Sequence, residues 1–263
     1  MLEILVYLVS GIVISLFSSM AGIGGGVFMV PLFYFLGLNI NEAVATSKFV
    51  VTSISFTASM NYLKSHKVPI KQGFFILLGM VPASFMGAYL SSALYSSLLK
   101  LFVAFFILYY SIRLIHSYIL SRNVSRNGSI KKNMLDNNSM IMSAMKSVIV
   151  GLFSGFIAGL TGTGGGAINM PLFIGWLNLS IHTAVALSSL TIFPSALVAA
   201  IQHLSTGNVV LRIAAPYAAG SIIGASIGSR ISSNLPTQKL KLYVSIILMI
   251  AGIRMLLSSL NLL

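Results

Sequence analysis

Cysteine is absent from the 263 residues, and only three carboxylates are present, Glu3, Glu42 and Asp136. The first absence excludes disulfides, thiolate-bound metal and thiol catalysis. The second leaves no acid deep in an apolar run, so Na⁺ coordination by carboxylates or an acidic proton relay finds no residues. Charge of either sign is scarce, at 7% of the chain, against roughly 25% in an average soluble domain. What is abundant is apolar: 57% of residues are hydrophobic and the mean hydropathy is +0.96. This composition excludes a soluble globule. It predicts an all-α, polytopic integral membrane protein with the lipid bilayer as solvent, crossing the cell membrane several times.

The formal net charge of +13 comes from 16 Lys and Arg. They are not gathered on one amphipathic face, so nucleic acid is not the expected partner. Most lie in short gaps between apolar runs, the pattern of loops held at an anionic cytoplasmic leaflet. The first apolar run, Ile4 to Met20, has no basic segment before it and no small-residue cleavage site. It reads as a retained first span and not a signal peptide.

The apolar runs fall into two sets of five. The first set is Ile4–Met20, Val27–Leu38, Ala43–Leu63, Gly73–Leu90 and Leu98–Leu120. The second is Ser147–Leu160, Ala167–Leu179, Ala184–Leu204, Ile213–Ile231 and Leu242–Leu260. The polar stretch between them predicts three parts: a membrane repeat over 1–120, a cytoplasmic linker over 121–143 and a second membrane repeat over 144–263.

The sets are copies of one another. Gly22-Ile-Gly-Gly-Gly26-Val-Phe-Met-Val-Pro31-Leu-Phe33 recurs 140 residues later as Gly162-Thr-Gly-Gly-Gly166-Ala-Ile-Asn-Met-Pro171-Leu-Phe173. Ala43-Val-Ala-Thr-Ser47 recurs as Ala184-Val-Ala-Leu-Ser188, and Asn61-Tyr-Leu63 as Gln202-His-Leu204. Gly79-x3-Ala83-x3-Gly87 recurs as Gly220-x3-Gly224-x3-Gly228, a small-residue spacing for close helix contact. The second segment of each set is shorter than the roughly 20 residues a span needs. If it re-enters, each repeat has four spans and the halves are parallel; if it crosses, each has five and they are inverted.

Loop charge favours inversion. Five crossings put Lys64, Lys67, Lys71, Arg122, Arg126, Lys131, Lys132, Lys146, Arg230, Lys239 and Lys241 on one side, with only Lys100 and Arg212 opposite, eleven against two. Four crossings move Arg230, Lys239 and Lys241 out and Arg212 in, leaving nine against four. By the positive-inside rule the crowded side is cytoplasmic and both termini lie outside.

The Gly triplets carry the functional expectation. Each glycine costs about 1 kcal/mol in a helix relative to Ala, so three in a row open it. Where the chain rewinds, its first N–H groups lack intrahelical partners and present a partly positive end suited to an anion. Paired breaks in two halves mark a transporter site near the midplane. The predicted substrate-binding residues are therefore Gly24, Gly25, Gly26, Gly164, Gly165 and Gly166, with Thr46, Ser47, Lys48, Ser188 and Ser189 beside them. Lys48 has two readings. It supplies a fixed positive charge to the pathway, or it snorkels to the outer interface towards Glu42. Pro31 and Pro171 bend the short segments, and Arg113 and Arg254 are read as snorkelling or packing residues.

Other chemistry finds little support. His66, His116, His182 and His203 form no metal-binding spacing with one another or with a carboxylate, so neither a metal nor another cofactor is expected. Gly224-Ala-Ser226-Ile-Gly228 spells a nucleophile elbow, but inside a helix-forming apolar run. No Lys-Ser or Lys-Thr follows either triplet, which rules against a phosphate loop. An intramembrane protease or acyltransferase remains the alternative class, and a carrier of an unrelated small solute the alternative substrate. Homo-oligomerisation is compatible with the composition.

At Gly22-x-Gly-Gly-Gly26-x4-Pro31-Leu and Ala45-Thr-Ser47, and again at Gly162-x-Gly-Gly-Gly166-x4-Pro171-Leu, Ala186-Leu-Ser188 and His203-Leu-x2-Gly207-x-Val209, the chain resembles the TauE/SafE family of sulfite and organosulfonate exporters. The resemblance covers essentially the whole chain. It implies a permease, not an enzyme, for a small anionic substrate such as sulfite, thiosulfate or a sulfonate. The half-sites differ at Thr46 against Leu187 and at Lys48 against Ser189, so equivalent binding by the two halves does not follow.

Overall fold

The computed structural model describes residues 2–65, 68–124 and 138–232, with 249–250, 252–253 and 256–257 beyond them. The described residues form nine helices and no strand: α1 (Leu2–Ala21), α2 (Gly26–Phe35), α3 (Ile40–Ser65), α4 (Ile70–Ala93), α5 (Ser96–Val124), α6 (Asn138–Thr161), α7 (Gly166–Gly175), α8 (Ile181–Ser205) and α9 (Leu211–Ile231). The ends of the expected linker are helical, since α5 runs to Val124 and α6 starts at Asn138. Most of the last apolar run, Leu242–Leu260, lies outside the described residues, as does Arg254.

Local chemistry sets several boundaries. The start of α3 is a reciprocal cap: Glu42 N–H donates to Asn39 Oδ1 at 2.9 Å, and Asn39 N–H donates to Glu42 Oε2 at 3.0 Å. Ser180 caps α8 by accepting from Thr183 N–H at 3.3 Å. No side chain caps α2 or α7; each begins after a glycine in the left-handed region, Gly25 at φ 84° and Gly165 at φ 84°.

Close contacts give the helix directions. Added Cβ atoms at Gly220, Gly224 and Gly228 of α9 would meet backbone at Leu8, Ile12 and Leu16 of α1, so these helices run parallel. On α4 and α6, Gly151 faces Ile76, Gly155 faces Met80 and Gly159 faces Ser84, again parallel. The predicted small-residue stripes thus do pack, against Gly11, Ser15 and Ser19 of α1 and their repeat equivalents Gly151, Gly155 and Gly159 of α6. Helix α3 runs with α9, because Thr46 reaches Val210 while Asn61 reaches Ser229. Helix α8 runs with α4, because Gly73 lies on Leu187 while Ser84 reaches Ser195.

Between α3 and α8 the direction reverses. Phe56 packs against Phe193 with centroids 5.1 Å apart and the rings tilted by 54°, Tyr62 clusters with Val185, and Lys48 lies within electrostatic reach of His203. Helices α1, α3 and α9 therefore run one way, and α4, α6 and α8 the other. Exchanging α1 with α6, α2 with α7, α3 with α8 and α4 with α9 maps the principal helix pairings onto one another. Exchanged helices are antiparallel, so the axis relating the halves lies across the helices and not along them. Helix α2 returns the chain to the side where α1 began, which is the parity of a crossing segment.

Polarity is distributed as the bilayer demands. Five described helices are long and apolar enough to cross a membrane: α1, α4, α6, α8 and the first part of α5. Their outer faces expose Val9, Val13, Phe74, Leu78, Phe102, Phe105, Phe153 and Ile201. Helix α3 spans 26 residues yet is too polar to qualify by composition. It lies among α8, α9 and α2, which bury its Thr46, Ser47, Lys48, Ser55 and Ser59 side chains.

Candidate functional site

The two breaks face each other. Between α1 and α2, Gly22, Gly24 and Gly25 hold φ values of 66°, 82° and 84°; between α6 and α7, Gly162, Gly164 and Gly165 hold 73°, 87° and 84°. Only glycine takes this conformation repeatedly without strain. A Cβ on Gly26 would strike the Gly162 carbonyl and Thr163 backbone, and one on Gly166 would strike Gly22 and Ile23. The absence of side chains lets the backbones of the two halves touch.

Each half also satisfies the other. Ser47 Oγ donates to the Gly162 carbonyl at 3.0 Å, and Ser188 Oγ donates to the Gly22 carbonyl at 2.8 Å. These carbonyls are freed by the breaks, and a buried carbonyl without a donor is costly. The N–H groups behave differently. Those of Gly24, Gly25, Gly26 and Val27, and of Gly164, Gly165, Gly166 and Ala167, meet no acceptor among the described residues. All of these residues are buried. The carbonyls of the double break at Gly22 and Gly162 are satisfied by protein, while these N–H groups are left without an acceptor among the described residues.

The remaining expected residues divide by surroundings. Thr46 Oγ1 accepts from Val210 N–H at 3.1 Å, tying α3 to the start of α9. Ser189 Oγ donates to Val185 O at 3.1 Å within its own helix. Lys48 is fully buried, which removes the snorkelling alternative, and Glu42 is engaged at the α3 cap instead. Lys48 Nζ has no hydrogen-bond partner. Asn61 Nδ2 donates to Ser229 Oγ at 2.8 Å and serves packing. Arg113, exposed, donates to Tyr109 OH at 3.3 Å.

Two side chains were missed by sequence reasoning. Asn169 of α7 is buried, donates to Ser188 Oγ at 3.4 Å and leaves its Oδ1 without a partner. Its signal was available: it is the one amide in an otherwise apolar short helix, where the first repeat has Met29. His203, 1% exposed, has neither ring nitrogen hydrogen-bonded. Among the described residues no three metal-ligating groups come together.

A lipid-facing apolar shell around two opposed helix breaks defines an integral membrane transporter. Residues 7–255 match the family described as sulfite exporter TauE/SafE. The chain belongs to the TauE/SafE family, whose members are membrane transporters and not enzymes. It is 24% identical over 267 residues to the probable membrane transporter protein YunE of Bacillus subtilis (strain 168), covering 97% of this chain and 98% of that one. It is 27% identical over 259 residues to the probable membrane transporter protein YdhB of the same organism, covering 97% and 100%. Probable membrane transporter protein MJ0441 of Methanocaldococcus jannaschii is 24% identical over 266 residues, covering 95% of this chain and 94% of the relative. No solved structure matches the chain.

Proposed function

We propose that this transporter moves a small anion, a sulfur oxyanion or organosulfonate such as sulfite, by alternating access around the paired breaks. The observation that carries the reading is the set of buried, acceptor-free N–H groups at Gly24–Val27 and Gly164–Ala167. Backbone N–H groups at two helix starts suit the oxygens of an oxyanion, and they offer donors without the desolvation cost of a full charge. The family description, sulfite exporter TauE/SafE, supports the same substrate class.

The two-fold arrangement supports the transport cycle. Each half presents its break to the other, so two packings of similar energy, open to opposite sides, can interchange about one central site. In an inside-negative cell the potential supplies about 2.3 kcal/mol per charge per 100 mV to an anion leaving. Export therefore needs no coupling ion, in keeping with the shortage of acids.

The test is flux in proteoliposomes with sulfite, thiosulfate, sulfate and taurine, under imposed potentials of both signs. A sulfur anion is expected to move in the direction the potential drives it. Gly24→Ala should weaken it: at φ 82° the new side chain is strained, while its Cβ meets nothing closer than Ile192 Cδ1 at 3.4 Å. Gly25→Val is a poorer probe, since its Cβ would fall 2.9 Å from Ile54 Cδ1 and 3.0 Å from Ser18 Oγ. Flux of neutral solutes alone, or none for any anion, overturns the reading.

A further inference from the structure

Duplicated folds reuse their structural side chains in both halves, so a buried group that has no counterpart calls for its own account. Lys48 and His203 are such groups. Their repeat equivalents are Ser189 and Tyr62. Both equivalents are satisfied by protein: Ser189 Oγ donates to Val185 O at 3.1 Å, and Tyr62 OH donates to Ser19 O at 2.8 Å. Lys48 Nζ and both ring nitrogens of His203 have no partner, although the residues are 0% and 1% exposed. One end of the α3/α8 crossing is closed by hydrogen bonds, and the symmetric end carries an ammonium and an imidazole with unmet capacity.

No acid of the described chain supplies the counter-charge. Glu3 pairs with Arg212 at the exposed surface, and Glu42 is held at the α3 cap. The ion pair Arg212–Glu3 is the only one among the described residues. A buried ammonium without a counter-ion is among the costliest arrangements a helix bundle can hold, and it is tolerated where a ligand completes it. Lys48 offers up to three N–H donors. A neutral His203 offers one N–H and one acceptor nitrogen, which suits the hydroxyl of a protonated oxyanion or the amino group of a sulfonate.

We propose that Lys48 and His203 form an anion-binding half-site on one side of the double break, with Lys48 lying between Ser47, which bonds the Gly162 carbonyl, and Val51, which packs against Gly24 and Gly164. Thr46 and the N-terminus of α9 at Val210 fix its level, since they are bonded one turn or less from Lys48. The ligand is a small oxyanion or sulfonate. The inference deepens the proposed function and rests on it. The half-site makes the pathway polar: one side of the double break offers the anion a cationic group, and the symmetric side, with Ser189 and Tyr62, offers none. On the topology expected from loop charge, the charged side is the outer one.

The experiment measures binding separately from flux. Purified protein in detergent is melted across a sulfite titration, and thiosulfate serves as a second probe. For the wild type, sulfite should raise the melting midpoint. Lys48→Met and His203→Gln should each raise the half-saturating sulfite concentration at least about tenfold, while Tyr62→Phe, at the mirror position of His203, changes it less than about twofold. Without anion, Lys48→Met should melt no lower than the wild type, because it removes an unpaired buried charge; this shows that the variant folds. Unchanged sulfite response in both basic variants, or an equal loss in Tyr62→Phe, overturns the half-site. Sulfite binding that depends on Lys48 and His203 without any flux retains the half-site and sinks the transport reading. Flux that persists in both basic variants with an unchanged half-saturating concentration retains the transport reading and sinks the half-site.

Discussion

Gly26→Ala is the sharpest perturbation of the contact between the halves. Gly26 is the first residue of α2 and lies outside the left-handed region, so alanine is tolerated by the backbone. By helix propensity alone the change stabilises by up to about 1 kcal/mol. The tertiary structure reverses that sign. The new Cβ would overlap the Gly162 carbonyl oxygen and come within 2.6 Å of Thr163 C and 2.8 Å of Thr163 Cα. These are backbone atoms of the other half, and no rotamer change relieves them. Overpacking of this kind costs about 1–3 kcal/mol. Separating the breaks also strains the Ser47–Gly162 hydrogen bond, worth about 1 kcal/mol. The net expectation is a loss of about 1–3 kcal/mol, or a melting midpoint lower by roughly 3–10 °C. Flux in proteoliposomes should fall much further than stability, because the proposed anion cradle between the breaks is pulled apart. Gly166→Ala should behave alike against Gly22 and Ile23, whereas Gly175→Ala, with nothing within 4 Å of its Cβ, should be neutral in both assays. Wild-type melting and flux in Gly26→Ala would refute the facing-break geometry.

Several further outcomes are expected. Ser47→Ala and Ser188→Ala should each destabilise by about 1–3 kcal/mol by leaving a buried carbonyl without its donor, and calorimetry in detergent would detect it; no loss in either would mean that water satisfies those carbonyls equally well. Gly79→Leu should part α4 from α6, because its Cβ already meets Val148 and Leu152 backbone, and the variant should be recovered as aggregate in size-exclusion chromatography; a monodisperse, transporting variant would contradict this packing. Single cysteines replacing Gly128 and Asn234 should be labelled from one side of the membrane and one replacing Tyr95 from the other, since the chain has no native Cys; labelling of Gly128→Cys and Asn234→Cys from opposite sides would favour parallel halves. Glu3→Gln should change stability by less than about 0.5 kcal/mol, because its partner Arg212 is 84% exposed and a surface pair is worth little.

The sequence alone determined the class and the plan of this protein. Long apolar runs with almost no acid force helices in a bilayer, because no other open-ended structure there satisfies its own backbone. The duplicated Gly triplets located the breaks, since glycine runs weaken a helix whatever surrounds them. The small-residue stripes of α4 and α9 likewise announced close helix contact. What the sequence left open was every question of mutual placement. Ser47 and Ser188 read as pathway residues, yet each closes a carbonyl of the opposite half, and a bond across 115 or 166 residues has no local signature. Lys48 read equally well as a snorkelling residue, because its depth depends on what α8 and α9 lay over it. His203 drew no notice as a binding residue, since a lone histidine near a helix end is unremarkable until its nitrogens are found buried without partners. Local periodicity and backbone strain are written into consecutive residues; burial, polar satisfaction and the reversal between α3 and α8 exist only once the two halves have packed.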